Sequence, residues 1–117
     1  MHDFKKLKVW QEAIDLTVEV YSVTRCFPVS EKFNLISQIN RSAVSIASNI
    51  GEGAGRQTNG EFIQFLGYAG GSCTELETQL ILTFRLGFLS DEKHQLLTSQ
   101  TQAIQKMLYN LIKSIGK

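Results

Sequence analysis

Apolar residues recur along the chain at steps of three and four, the spacing that gathers side chains on one face of an α-helix. In the first segment, about residues 7–26, two such series run side by side. Leu7, Trp10, Ile14, Thr17, Tyr21 and Thr24 form one; Val9, Ala13, Leu16, Val20, Val23 and Phe27 form the other. Two seams on one helix predict neighbours on more than one side. Phe27-Pro28-Val29 ends the segment, because a residue before proline is pushed out of the α region. Ser30 then offers an N-cap, with Glu31 favourable in the first turn.

The second segment, about 31–53, places Leu35, Ile39, Ser42, Ile46 and Asn49 on one stripe, with Ile36, Ala43, Ala47 and Ile50 beside it. Its many small residues predict close backbone approach, and Gly51, Gly53 and Gly55 predict the turn that follows. Thr58-Asn59-Gly60-Glu61 is a T-x-x-E capping box opening a third helix, about 59–87. There Phe62, Leu66, Ala69, Cys73, Leu76, Leu80, Thr83 and Gly87 alternate steps of four and three. Gly67, Gly70 and Gly71 interrupt it at about 1 kcal/mol each against alanine, and close helix contact is the expected compensation. Gly87 suits a left-handed stop, and Ser90-Asp91-Glu92 starts a fourth helix, about 91–115, carrying Leu97, Thr101, Ile104, Leu108, Leu111 and Ile115. No segment alternates with period two for long. Short breaks between helices make sequential helices antiparallel neighbours. The expected structure is all-α: an antiparallel up-down-up-down four-helix bundle, with residues 1–117 as a single domain.

Composition narrows the function more than the fold. With 117 residues, 43% hydrophobic and 20% charged, the chain fits one folded domain and excludes disorder. No apolar run reaches the ~18–20 residues of a membrane span, and no signal-like segment opens the sequence, so a cytoplasmic location with no membrane contact is expected. Cys26 and Cys73 form no C-x-x-C and read as reduced core residues. Net charge is +1, which is not the signature of a dedicated nucleic-acid binder.

Candidate chemistry is sparse. Arg41, Ser45, Asn49, Glu52 and Arg56 lie along one helix face, and Glu75 and Glu77 reach the level of Arg41 across an antiparallel neighbour. A structural ion-pair network is the reading preferred over a ligand site. The run Gly51-Glu52-Gly53-Ala54-Gly55-Arg56 lacks the preceding strand and the Lys-Ser/Thr of a phosphate loop. His2 and His94 are too few for a carboxylate-bridged metal site, and His94 reads as part of a solvated helix start. Neither cysteine has a histidine base on a core face. No catalytic, cofactor-binding or metal residue is therefore assigned, no cofactor or small-molecule substrate is expected, and an enzyme is the weaker hypothesis. One end of the bundle gathers Lys5, Lys6, Lys8, Arg56, Lys113 and Lys117, opposed by Asp3, Glu52 and Glu61. These six cations are the candidate contacts for nucleic acid.

One run of residues is specific. Phe4-x-x-Leu7-x-Val9-Trp10, Phe27-Pro28, Gln38-Ile39-x-Arg41-Ser42-Ala43-x-Ser45-Ile46-x-Ser48-Asn49-Ile50-x-Glu52-Gly53-x-Gly55-Arg56 and Gly71-Ser72-x-x-Glu75-Leu76-Glu77 resemble the four-helix-bundle proteins encoded in intervening sequences of 23S ribosomal RNA genes. A related group is the accessory variability determinant of diversity-generating retroelements, a strongly basic bundle where this chain is nearly neutral. The resemblance implies a bacterial homopentamer of antiparallel bundles with no established activity. It marks Arg41, Asn49, Glu52, Gly53, Arg56 and Glu75 as the family's polar signature. The expected function is that of a non-catalytic, oligomeric protein whose basic end associates weakly with RNA. A protein–protein adaptor that binds a partner polypeptide through apolar seams is the alternative.

Overall fold

The computed structural model describes residues 2–116, and among them all regular structure is helical. A single 3-10 turn, Phe4–Lys6, precedes α1, Lys8–Thr24. After α1 the chain makes a 3-10 turn at Val29–Glu31 and a π-helical segment at Lys32–Ile36, then continues as α2, Ser37–Ala54. Helices α3, Asn59–Arg85, and α4, Asp91–Ile115, complete the chain. Each helix packs on its sequence neighbours, and α4 closes the ring against α1. The molecule measures 44 × 23 × 20 Å. The expected four-helix bundle is the fold observed.

The heptad seams form the interior. Val9, Ala13, Leu16, Val20, Val23 and Phe27 from the α1 side are buried, as are Phe62, Leu66, Ala69, Cys73, Leu76, Leu80 and Thr83 along α3. From α4 come Leu97, Thr101, Ile104 and Leu108. Buried Thr83 and Thr101 keep their hydroxyls satisfied by donating to carbonyls of their own helices, as buried polar groups must.

Several local expectations are corrected. The second helix does not begin as an α-helix at residue 31: the wide π turn lets Phe27 and Leu35 both enter the core while Phe33 stays in water. At its other end Gly51 and Gly53 do not break α2, which continues to Ala54. Gly53 serves close approach instead, since a methyl there would lie 2.7 Å from Phe65 Cβ and 3.1 Å from Phe62 Cδ1. Conversely, Gly67, Gly70 and Gly71 have nothing within 4 Å of where a Cβ would sit. Helix contact within the bundle does not explain them.

Two of the three expected N-caps form; Ser30 does not cap, because it lies inside the 3-10 turn Val29–Glu31, and no side chain caps that turn, the π segment or α2. Thr58 Oγ1 accepts from Glu61 N–H at 3.1 Å and Ser90 Oγ from Lys93 N–H at 3.1 Å. Helix α3 is closed by a Schellman arrangement: Phe88 N–H donates to Thr83 O and Gly87 N–H to Phe84 O, each at 3.0 Å, with Gly87 at φ +84°.

Candidate functional site

The interface of α2 with α3 carries most of the polar signature. Antiparallel pairing brings Ser42 opposite Glu75 and Ser45 opposite Ser72. Ser42 Oγ donates to Glu75 Oε1 at 2.9 Å, and Ser72 Oγ donates to Ser45 Oγ at 2.9 Å. Asn49 Nδ2 turns back on its own helix, donating to the carbonyl and the hydroxyl of Ser45. Small side chains let the two backbones approach, and their hydroxyls satisfy one another.

The expected network of ion pairs is not what fills this interface. Arg41 is exposed and makes no ion pair among the described residues. The Glu75 carboxylate is held by Ser42 instead, one residue from the expected partner. Glu77 lies around α3 toward α4, beside Gln105. Gln38, Arg41, Ser42, Glu75 and Gln79 surround a polar cleft of about 270 Å³.

In the α2–α3 connection, Arg56 donates back to Glu52 in the last turn of α2 at 3.0 Å and stacks at 4.7 Å on the ring of Phe65. Glu52, Arg56 and Gly53 thus meet α3 together: the glycine admits Phe62 and Phe65, and the arginine covers Phe65.

The cations do share one end. His2 N–H donates to Ala54 O at 2.8 Å, tying the start of the chain to the end of α2. Gly116 lies near Ile63 in the first turns of α3. Lys5, Lys6, Lys8 and Lys113 are exposed there, whereas Arg56 is engaged by Glu52 and Phe65. Lys117 lies outside the described residues. Asp3 is also in use, its carboxylate accepting from Lys5 N–H.

The second seam of α1 is only partly covered by the bundle: Leu7, Trp10 and Thr17 are half-buried and Thr24 is buried. Ile14 is 37% exposed, Tyr21 is also exposed, and Val44 on α2 is 41% exposed beside them. Phe4, Trp10, Ile14, Thr17, Val44 and Ala47 are among the residues that line a groove of about 590 Å³ between the two helices. Trp10 is fixed at its lower end by an edge-to-face contact with Phe4 at 5.1 Å.

Cys26 and the histidine of α4 depart from their expected settings, whereas Cys73 keeps its own. Cys26 is exposed rather than in the core. Cys73 is buried, and desolvation, reinforced by the nearby charge of Glu77, pushes its thiol up to about 12; a thiol held neutral in this way is no nucleophile. His94 is not solvated: it is half-buried and stacks on Phe84 with centroids 4.6 Å apart, its Nε2 buried without a partner. The aromatic at position 84, off the α3 heptad stripe, gave no sign of this stacking. Among the described residues, no group of three or more His, Cys, Asp or Glu stands close enough to hold a metal. No helix there is long and apolar enough to cross a membrane.

Comparison with known proteins agrees with this architecture. Among curated proteins none matches the chain. The chain is similar to a crystal structure of a protein of unknown function from the S23 ribosomal protein family of Bacteroides thetaiotaomicron, with 29% identity and a TM-score of 0.83. That likeness covers 90% of this chain and 98% of the other. The model of the family described as 23S rRNA-intervening sequence protein matches residues 5–110, a span that takes in all four helices but the last turn and every described residue of the polar signature. With its bundle, its polar α2–α3 seam and this match, the chain belongs to the 23S rRNA-intervening sequence protein family.

Proposed function

We propose that this protein is a non-catalytic assembly unit that forms a closed ring of copies through the exposed α1–α2 face, the ring being the pentamer that its family resemblance implies. The observation that carries this reading is the apolar surface left exposed where the second seam of α1 meets α2. Ile14 on α1 and Val44 on α2 are exposed side by side along the groove between the two helices, with half-buried Trp10 at its end. A lone apolar side chain on a surface is ordinary, but a contiguous apolar patch marks an interaction surface. Burying several such side chains at about 1.5–3 kcal/mol each offsets the entropy lost on association. A contact between this face and a different face of the next copy is heterologous, and such contacts close into a ring when the rotation from copy to copy returns to the start.

Light scattering of the purified protein tests it. The expected mass is a multiple of 13.1 kDa, and Ile14→Glu with Val44→Glu should reduce it to a single copy while circular dichroism stays helical. A parent protein that scatters as one copy overturns the reading; an assembly indifferent to the double variant moves the interface elsewhere.

RNA association is a second reading, favoured by one observation. The His2–Ala54 hydrogen bond and the Gly116–Ile63 contact collect Lys5, Lys6, Lys8 and Lys113 at one end of the bundle. Repeated around a ring whose subunits point the same way, that end offers several weak phosphate contacts acting together.

A further inference from the structure

At the opposite end of the bundle, where α1 hands over to α2, a cleft of about 280 Å³ opens between the helices. Its size is near the low end of small-molecule pockets, which run from roughly 300 to 1,000 Å³. Its apolar wall is made by Tyr21, Phe27, Val29 and Ile36. Its polar groups are Arg25, Lys32, Thr24 and Asn40, with no carboxylate among the lining residues.

The orientation of Asn40 is fixed from behind. Thr24, 2% exposed, donates its hydroxyl to Asn40 Oδ1 at 2.9 Å. Because the acceptor half of the amide is taken by Thr24, the unengaged group is Nδ2, a donor. Arg25 and Lys32 add two cations at the rim, neither in an ion pair among the described residues, with Lys32 Nζ 5.5 Å from the ring centroid of exposed Phe33. The backbone carbonyls at the end of α1 are already occupied by their own cap: Arg25 N–H donates to Tyr21 O, Cys26 N–H to Val23 O and Phe27 N–H to Thr24 O. Three donors, two of them charged, therefore border an apolar floor whose lining includes no carboxylate.

This arrangement is selective. A free cation is repelled by Arg25 and Lys32. Bare inorganic anions use the donors but leave the wall of Phe27 and Ile36 unfilled. A neutral apolar molecule fills the wall and leaves the donors without a partner, which costs affinity. We infer that the α1–α2 corner binds a small carboxylate carried on an apolar body, with the carboxylate on Asn40 Nδ2 and the two cations, and the hydrocarbon against Phe27 and Ile36. The inference does not depend on assembly, since every lining residue comes from one chain.

Titration calorimetry with octanoate, octanol and octylamine as matched probes tests it. Octanoate should bind, and the alcohol and the amine should bind at least about tenfold more weakly, the scale of losing charge-assisted hydrogen bonds. Asn40→Asp keeps the Thr24 hydrogen bond and the shape but places a second carboxylate where the donor was. It should weaken octanoate by about tenfold or more and narrow the gap to octylamine. Arg25→Ala with Lys32→Ala, at a site on the helix connection, should weaken octanoate similarly and leave octanol unchanged, and it decides the matter if Asn40→Asp fails to fold. No octanoate binding at millimolar concentration, equal binding of all three probes, or octanoate binding unmoved by the variants overturns the inference.

Discussion

Gly53 and Gly67 look alike in the sequence, both glycines inside helices, and their surroundings make them opposites. A methyl at position 53 meets Phe65 Cβ at 2.7 Å and Phe62 O at 3.3 Å, and backbone cannot give way as a side chain tip can. Gly53→Ala should therefore cost about 1–3 kcal/mol, the usual penalty of overpacking. Gly67 faces open space, so Gly67→Ala gains helix propensity and reduces the freedom of the unfolded chain. It should stabilise by about 0.5–1 kcal/mol. Paired thermal melts check both signs. A Gly67→Ala protein that melts lower would show that the outer face of α3 touches another molecule. The cysteines make a similar contrast: residue type does not distinguish exposed Cys26 from buried Cys73, but spacing does, since Cys73 lies on the α3 stripe and Cys26 on neither series of α1.

At the scale of elements, local chemistry was highly legible. Thr58, Gly87 and Ser90 cap as their positions predict, because capping depends on residues within one turn. Thr58→Ala removes the acceptor that satisfies Glu61 N–H and should cost about 1 kcal/mol, read from the denaturant midpoint. Thr58→Asn, which keeps an acceptor, should recover most of it; equal loss in both would place the stabilisation elsewhere. The π turn at Lys32–Ile36 was not legible. It accompanies the burial of Phe27 and Leu35 on either side of a tight connection, and no periodicity within five residues records that arrangement. The polar signature was half legible. Spacing placed Arg41, Ser45, Asn49, Glu52 and Arg56 on one face, yet which partner each takes depends on interaxial distance. With helices this close, serine reaches Glu75 and the longer arginine is left outside.

For the molecule as a whole, the distribution of charge matters more than its sum. Net charge is +1, but four exposed lysines from distant parts of the sequence occupy one end. If that end meets RNA, retention on immobilised RNA should fall steeply as salt rises, and Lys5→Glu, Lys6→Glu and Lys8→Glu together should abolish it without altering the assembled mass. Retention equal in parent and variant, or absent from both in low salt, would remove RNA from the account. Arg56, drawn in by Glu52 and Phe65, should contribute little, and its removal should instead lower stability by exposing the Phe65 ring.

The sequence by itself determined the number of helices, their order, the apolar seams each carries and most of their ends, because these follow from periodicity and from interactions within a turn. Tertiary structure alone decided which of the two α1 seams stays partly in water and how Ser42 displaces Arg41 from Glu75. It also decided that Tyr21, Phe27, Ile36 and Asn40 converge on one cleft. Those outcomes depend on distances between helices, and such distances are set by the simultaneous packing of all four rather than by any one segment of the chain.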